Sequence, residues 1–456
     1  MNQKTINPEE IALLENQLDN FNPQIRKESL LKLHHLAESG SLDLPEQTEI
    51  ANLHCHTFYS YNGYGYSPSH IAWLGRKLGA KFMGIIDFDV LDGVDEFLDA
   101  CEMIGMRGTA GIETRVFIPE FSQFEINSPG EPGVAYHMGT GFSSTQVPKS
   151  AAPALKDIRQ RAEQRNLGII EKVNDFLTPL RLDYETEIIP LTPAGNVTER
   201  HMVEKIAQKS FQVLENPMQF WSEKLNLPLE EINRIVENSN AFNNLLRSRL
   251  MKRGSIGYVQ PDRTTFPDLD EFHNIILSAD AMPCSAWLDG TSAGEQKMES
   301  LLDLLISKGV AALNIIPERN WNIADPEVKA RKVKELYKIV KLSQALDLPL
   351  LVGTEMNAFG QKMMDGFDSP ELAPLNDVFM DGADFLYGHT WLARHLKMGY
   401  QSDWSNNHFN DRKSKNEFFQ TIGKIADPRI NPTVFASGIT PKLTPDQVIV
   451  KFHSHI

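Results

Sequence analysis

Cysteine is scarce: Cys55, Cys101 and Cys284 are the only three in 456 residues. They are too few and too scattered for a disulfide framework, so reduced thiols and a cytoplasmic location are expected. Basic excess is missing too. Lys and Arg number 45 against 60 Asp and Glu, a formal net charge of -15, which argues against nucleic acid or an anionic membrane surface as a general partner. A small anionic substrate held by a metal and a few local cations remains open. No apolar run approaches the roughly 18 residues a membrane span needs, and the opening Met1-Asn2-Gln3-Lys4 leads into acidic amphipathic sequence without a signal core. Repeats and low-complexity tracts do not occur. What is present is 41% hydrophobic and 23% charged residues, the composition of a globular chain with a large core and two or three domains.

The chain changes rhythm three times. Residues 1–48 carry helical periodicity, with Pro8, Glu9 and Glu10 as a start signal, and read as a helical arm. From residue 49 strand and helix patterns alternate, with strands expected at 50–56, 82–89, 109–117 and 134–141. Residues 148–272 are mostly helical and richer in charge, and read as an insertion. Strands return at 282–289, 310–316 and 348–355. Seven strand–helix units predict an α/β fold with a parallel sheet, closed as a barrel over residues 49–147 and 273–456, with function gathered at the strand C-termini. After Gly360 the pattern reads as loop, with a short apolar run over 384–389 and a closing helix from Asp411.

The stretch that stands out is Asn52-Leu53-His54-Cys55-His56-Thr57. Alternation on a strand puts His54 and His56 on one face, at a strand end that runs into the aromatic, Gly-containing loop Tyr59–Tyr66. Two neighbouring imidazoles make half of a transition-metal site. Later strand ends carry further polar groups: Asp87 and Asp89, Glu113, His137 and Glu355.

In this order the motifs resemble those of the polymerase-and-histidinol-phosphatase (PHP) superfamily, from about Ala51 to Gln361. They are His-x-His, the Asp-rich end at Asp87-Phe88-Asp89, Gly111-Ile112-Glu113, Tyr136-His137, and Gly353-Thr354-Glu355. Thr198-Glu199-Arg200-His201, within the insertion, is similar to the family's Arg-Pro-His stretch. The resemblance implies a distorted (β/α)7 TIM-like barrel, a metal centre at the strand C-termini, and hydrolysis of a phosphate ester. One site then takes His54, His56, Glu113 and Glu355; a second shares Glu113 and adds His137. The departures are specific. Where a fifth-strand histidine is expected there is Ala286-Trp287-Leu288-Asp289, with Asp289 a possible substitute. Tyr61 or Asn62, Phe88 and Asn357 replace the ligands of a third ion. One metal ion (Zn, Mn or Fe), or two, is therefore expected in place of three, with Tyr61 and Phe88 filling the vacated space.

The expected activity is metal-dependent phosphoric ester hydrolysis on a small phosphorylated substrate. The alternative is an inactive barrel that binds a metabolite or a partner protein. His137 and His201 are candidate proton-transfer groups and Asp89 a candidate general base, or with Asp87 a partner orienting the ligand histidines. Arg200 and Arg319 are candidate forks for the anion. His389 is a reserve ligand, and His453 and His455 read as a tail.

Overall fold

A computed structural model describes residues 7–436 and 442–454; His455 lies outside them. Seven strands form one sheet in sequence order: β1 (Thr48–Cys55), β2 (Ala80–Phe88), β3 (Arg107–Phe117), β4 (Val134–Thr140), β5 (Met282–Trp287), β6 (Ala312–Ile315) and β7 (Leu350–Val352). A parallel bridge between Cys55 and Glu355 brings the first and last edges together, giving a nearly closed, TIM-like barrel. The expected all-parallel arrangement fails at one place: β4 runs antiparallel to both β3 and β5. Only a loop with one 3-10 turn, Pro119–Phe121, joins β3 to β4, so no helical crossover returns the chain to run parallel.

Several helices begin on a residue that caps them. Asn7, Asn22, Ser67, Asp325 and Asp411 each accept a bond from a first-turn N–H, and the first four are followed by proline. The two arm helices, Pro8–Gln17 and Pro23–Glu38, brace the start of the β1–helix loop. Asp19 accepts from the Ser67 N–H at 2.8 Å and pairs with His70, while buried Arg26 pairs with Glu96 and reaches the Tyr59 hydroxyl. After β4, the helices Ala152–Leu177, Glu199–Val213, Pro217–Leu225, Leu229–Val236 and Ser239–Leu250 enclose an apolar cluster of their own, centred on Val173, Trp221 and Leu246.

The C-terminal region departs from expectation. The run at 384–389 lies inside one long helix, Asn376–Leu396, most of whose residues are buried. It crosses the rim opposite the functional end. Asn376 bonds the Glu49 carbonyl, Gly382 meets Leu350, and Arg107 stacks over Tyr387. Its apolar side chains join the barrel interior in one cluster with Phe82, Ile86, Met138 and Cys284. His389 belongs to this plug and is not a ligand. Its Nε2 donates to the Gly141 carbonyl and its Nδ1 accepts from the Tyr400 N–H, both at 2.8 Å.

Burial holds the His389 imidazole down at about 4, against a smaller upward pull from the Gly141 carbonyl. The unfolded chain, at about 6.5, binds the proton more readily. Its contribution is therefore complete above about pH 6.5 and drains away towards pH 4, to an extent of about 3 kcal/mol. Urea unfolding at pH 7.5 and pH 4.5 checks this. His389→Gln should lower stability at pH 7.5 and flatten the pH slope; an unchanged slope contradicts the assignment.

Candidate metal centre

The centre begins with an irregularity in β1. Asn52 pairs with Met83 and Cys55 with Ile85, so Leu53 and His54 together face the single residue Gly84. This bulge breaks strict alternation: Leu53 joins the interior cluster and Cys55 the outer one. It demands room. A Cβ on Gly84 would lie 2.6 Å from the Leu53 carbonyl oxygen, and one on Gly353 would lie 2.2 Å from His54 Cβ. The closing seam then runs through the site itself: His54 O accepts from Glu355 N at 2.8 Å, and His56 N donates to Glu355 O at 2.7 Å.

The imidazoles of His54 and His56 are buried, with centroids 5.2 Å apart. His54 Nδ1 faces Asn314 Oδ1 at 3.1 Å, an acceptor, so Nδ1 carries the proton. His56 Nδ1 faces Ser60 Oγ at 3.1 Å, and that hydroxyl gives its own proton to Asp87 Oδ1 at 2.6 Å. It can only accept from the ring, so His56 also carries its proton on Nδ1. Both Nε2 atoms therefore present lone pairs. They are buried, and neither makes a hydrogen bond. Yet Glu113 Oε2 lies 3.5 Å from one and 3.3 Å from the other.

Three electron-rich atoms facing one another at this spacing repel unless a cation sits among them. Tetrahedral bonds of roughly 2.0–2.1 Å give ligand–ligand edges of about 3.4 Å, which the observed separations match. The three ligand atoms lie within 4.8 Å of one another. The residues fit a divalent ion such as zinc. Burial pushes the Glu113 carboxyl upward, whereas positive charge on the two imidazoles beside it pulls it down to about 2 and, against burial, Glu113 in turn raises His54. A metal cation among the three atoms acts on the carboxyl in the same direction as those protons. Asp87 completes the support by also accepting from the Thr57 N–H and hydroxyl, each at 2.7 Å.

Other expected residues take different places. Glu355 is beside the centre but its carboxylate is engaged: Arg319 Nη2 donates to Oε1 at 2.6 Å and Asn357 Nδ2 to Oε2 at 3.0 Å. His137 is not a ligand. Glu113 pairs with Met138, and His137 with Thr114, so His137 points out of the barrel. Its Nε2 lies 2.8 Å from His273 Nε2, whose ring is anchored by the Lys308 carbonyl, and burial pushes its pKa well down. Asp289 is tied to Lys332 and Thr291, and Trp287 packs with the outer helices.

Asp89 does not share partners with Asp87. A left-handed backbone (φ 63°) turns it to the Thr114 hydroxyl at 2.6 Å, away from the imidazoles. His201 is no proton donor near neutral pH. Its Nδ1 accepts from the Thr198 N–H at 3.0 Å, and burial holds it at about 3. Phe88 stacks on His56 at 4.3 Å, whereas Tyr61 packs edge-on against His201, so the two do not fill one space.

Sequence reading missed Asn314, Ser60, Tyr136 and Arg165. Asn314 had a signal, a lone polar residue between Leu313 and Ile315. Arg165 had none; it comes from the insertion and meets Arg115, Asp89 and Tyr136 only in three dimensions.

No family model matches the chain, and no curated protein does. Among solved structures, an amidohydrolase from Chromobacterium violaceum, with bound sulfate and no metal, aligns at 14% identity and a TM-score of 0.45, covering 72% of this chain and 96% of its own. A protein named as a metal-dependent phosphoesterase from Bifidobacterium adolescentis aligns at 17% identity and 0.41, covering 70% and 90%. Likeness this distant says nothing of reaction or substrate, which must come from the residues.

Ser60 Oγ bridges His56 Nδ1 and Asp87 Oδ1. Ser60→Ala should weaken divalent-metal binding by about tenfold to a hundredfold, read by competition with a chromophoric chelator, with the far-ultraviolet circular dichroism unchanged. Unaltered affinity would show that the imidazole needs no such support.

Proposed function

We propose that this chain is a metal-dependent hydrolase of the PHP type, acting on a phosphate ester in a small anionic substrate with one divalent ion (zinc, manganese or iron). The observation that carries this reading is the pair of unpartnered, lone-pair-bearing Nε2 atoms facing the ionised Glu113 carboxylate. When bound there, the ion supplies a water acidified to around neutral pH and a Lewis acid for a phosphoryl oxygen.

The chain's own residues favour an anion. Arg115, Arg165, Arg200, Arg247, Lys252 and Arg319 gather between the barrel mouth and the insertion. Glu131 neutralises Arg115, Glu199 pairs with both Arg247 and Lys252, and Glu355 pairs with Arg319. Arg165 and Arg200 have no hydrogen bond or ion pair among the described residues; they lie over the rings of Phe266 and Tyr61. Burial and Arg247 lower Arg200 to about 10, so it keeps its charge at neutral pH. Free forks of this kind suit a phosphate oxygen pair. Tyr61 is fixed between His201 and Glu204 and holds Arg200 over the mouth. His201, neutral and protonated on Nε2, serves as a hydrogen-bond donor only. Phe88 covers one face of His56 and keeps water from it.

The test combines elemental analysis with turnover. Purified protein loaded with manganese, zinc or iron should retain one ion per chain and hydrolyse members of a phosphate mono- and diester panel. His54→Ala and Glu113→Gln should lose the ion, and activity should fall by about a hundredfold or more. Arg200→Ala should raise KM more than it lowers kcat. A chain that retains no ion, or turnover indifferent to these ligands, overturns the reading and leaves a barrel that binds an anion without hydrolysing it.

A further inference from the structure

Glu355 is an odd ligand to find engaged elsewhere. The barrel seam delivers its backbone to both histidines, and its side chain is 11% exposed. Its conformation is costly: φ is 64° at Glu355 and 57° at Met356, two consecutive left-handed residues without glycine. Yet both carboxylate oxygens are taken, one by Arg319 and one by Asn357. Arg319 is positioned by the short helix Glu318–Trp321, which starts just beyond β6. Besides Glu355, the guanidinium acts electrostatically on Glu113 and Tyr136, and its side chain is 42% exposed, so it stands at the solvent-facing lip of the mouth.

We infer that Arg319 is a built-in cation that does the work of a second metal ion: it claims Glu355, holds that carboxylate off the ion at His54, His56 and Glu113, and so fixes the stoichiometry at one. This rests on the metal-centre reading above. The charge count is consistent with it. With Glu355 neutralised by Arg319, one divalent ion over Glu113 leaves about +1 and Arg200 adds another, together the complement of a phosphate monoester dianion. A guanidinium does this without the exchange and loss to which an ion is subject, and its planar fork leaves donors over for substrate oxygens. Lysine would supply the charge but not the fork.

The experiment reads metal and not turnover. Full-length protein is stripped with chelator, then titrated with zinc or manganese alone; stoichiometry comes from elemental analysis and affinity from chelator competition. Wild type should bind one ion. Arg319→Met should free Glu355 and bind at least about tenfold tighter, or take a second ion. The gain should vanish in Arg319→Met/Glu355→Gln, in which no buried charge is stranded. Glu355→Gln alone should leave affinity within about threefold of wild type, because Glu355 is no ligand while Arg319 is present, against the near-complete loss expected of His54→Ala. Arg319→Met binding no better than wild type, or a large loss in Glu355→Gln, overturns the inference while one ion at His54 upholds the metal centre. A wild-type chain that takes up no ion overturns both.

Discussion

Two imidazole lone pairs and an ionised carboxylate, closed inside a protein with nothing between them, make an arrangement that electrostatics forbids without a positive charge. Burial makes it worse, because the low local dielectric magnifies the repulsion. The surrounding chain is built to create this conflict and not to avoid it. Asn314 and Ser60 fix which nitrogen of each ring is protonated. Asp87 fixes Ser60, and the β1 bulge with Gly84 opposite it brings His54 to its place. Each of these costs something locally, in strand regularity or in a buried carboxylate, and each gains its meaning from the cation the three ligand atoms are spaced to receive.

Much of this was legible in the sequence, within limits set by physics. His-x-His at a strand end, followed by a glutamate at a later strand end, places three ligands because strand direction and parity are readable over short ranges. Parity fails where a strand reverses. The resemblance implies His137 as a ligand, but the register of β4 against β3 puts Met138, not His137, on the face of Glu113. No local residue pattern announces that reversal; it follows from the link between β3 and β4, which holds no α-helix. The long helix Asn376–Leu396 was hidden for a different reason. Residues 382–393 are buried without a break, so its central turns, which hold the run at 384–389, show no solvent-facing side that marks them as helix.

Charge is the other property that resists one-dimensional reading. A chain of net charge -15 concentrates six cationic side chains at one rim, from β3, the insertion and the loop after β6. Arg115, Arg165 and Arg247 are far apart in sequence and meet around Tyr136. The insertion is thus part of the site and not a decoration on it. It contributes Arg165, Arg200, Arg247 and Lys252, and it is tied to the barrel by Asn196, whose amide donates to the Phe88 and Tyr59 carbonyls at 2.8 and 3.1 Å. A cationic mouth on a chain of net charge -15 is the arrangement that the proposed small anionic substrate would need.

Phe88 and Arg319 act on neighbouring parts of the site. A stranded buried carboxylate costs more than a paired one. Phe88 covers one face of His56 with an apolar ring and keeps water from it. Arg319 and Asn357 satisfy both oxygens of Glu355, so no charge is left bare there. Either residue alone would leave a buried polar group unsatisfied or open a water-filled gap beside the ligands. Among the described residues, the side-chain atoms of His54, His56 and Glu355 that are buried without a partner are the two Nε2 atoms that point at Glu113. These two converge on one carboxylate oxygen, the convergence that the proposed metal site requires.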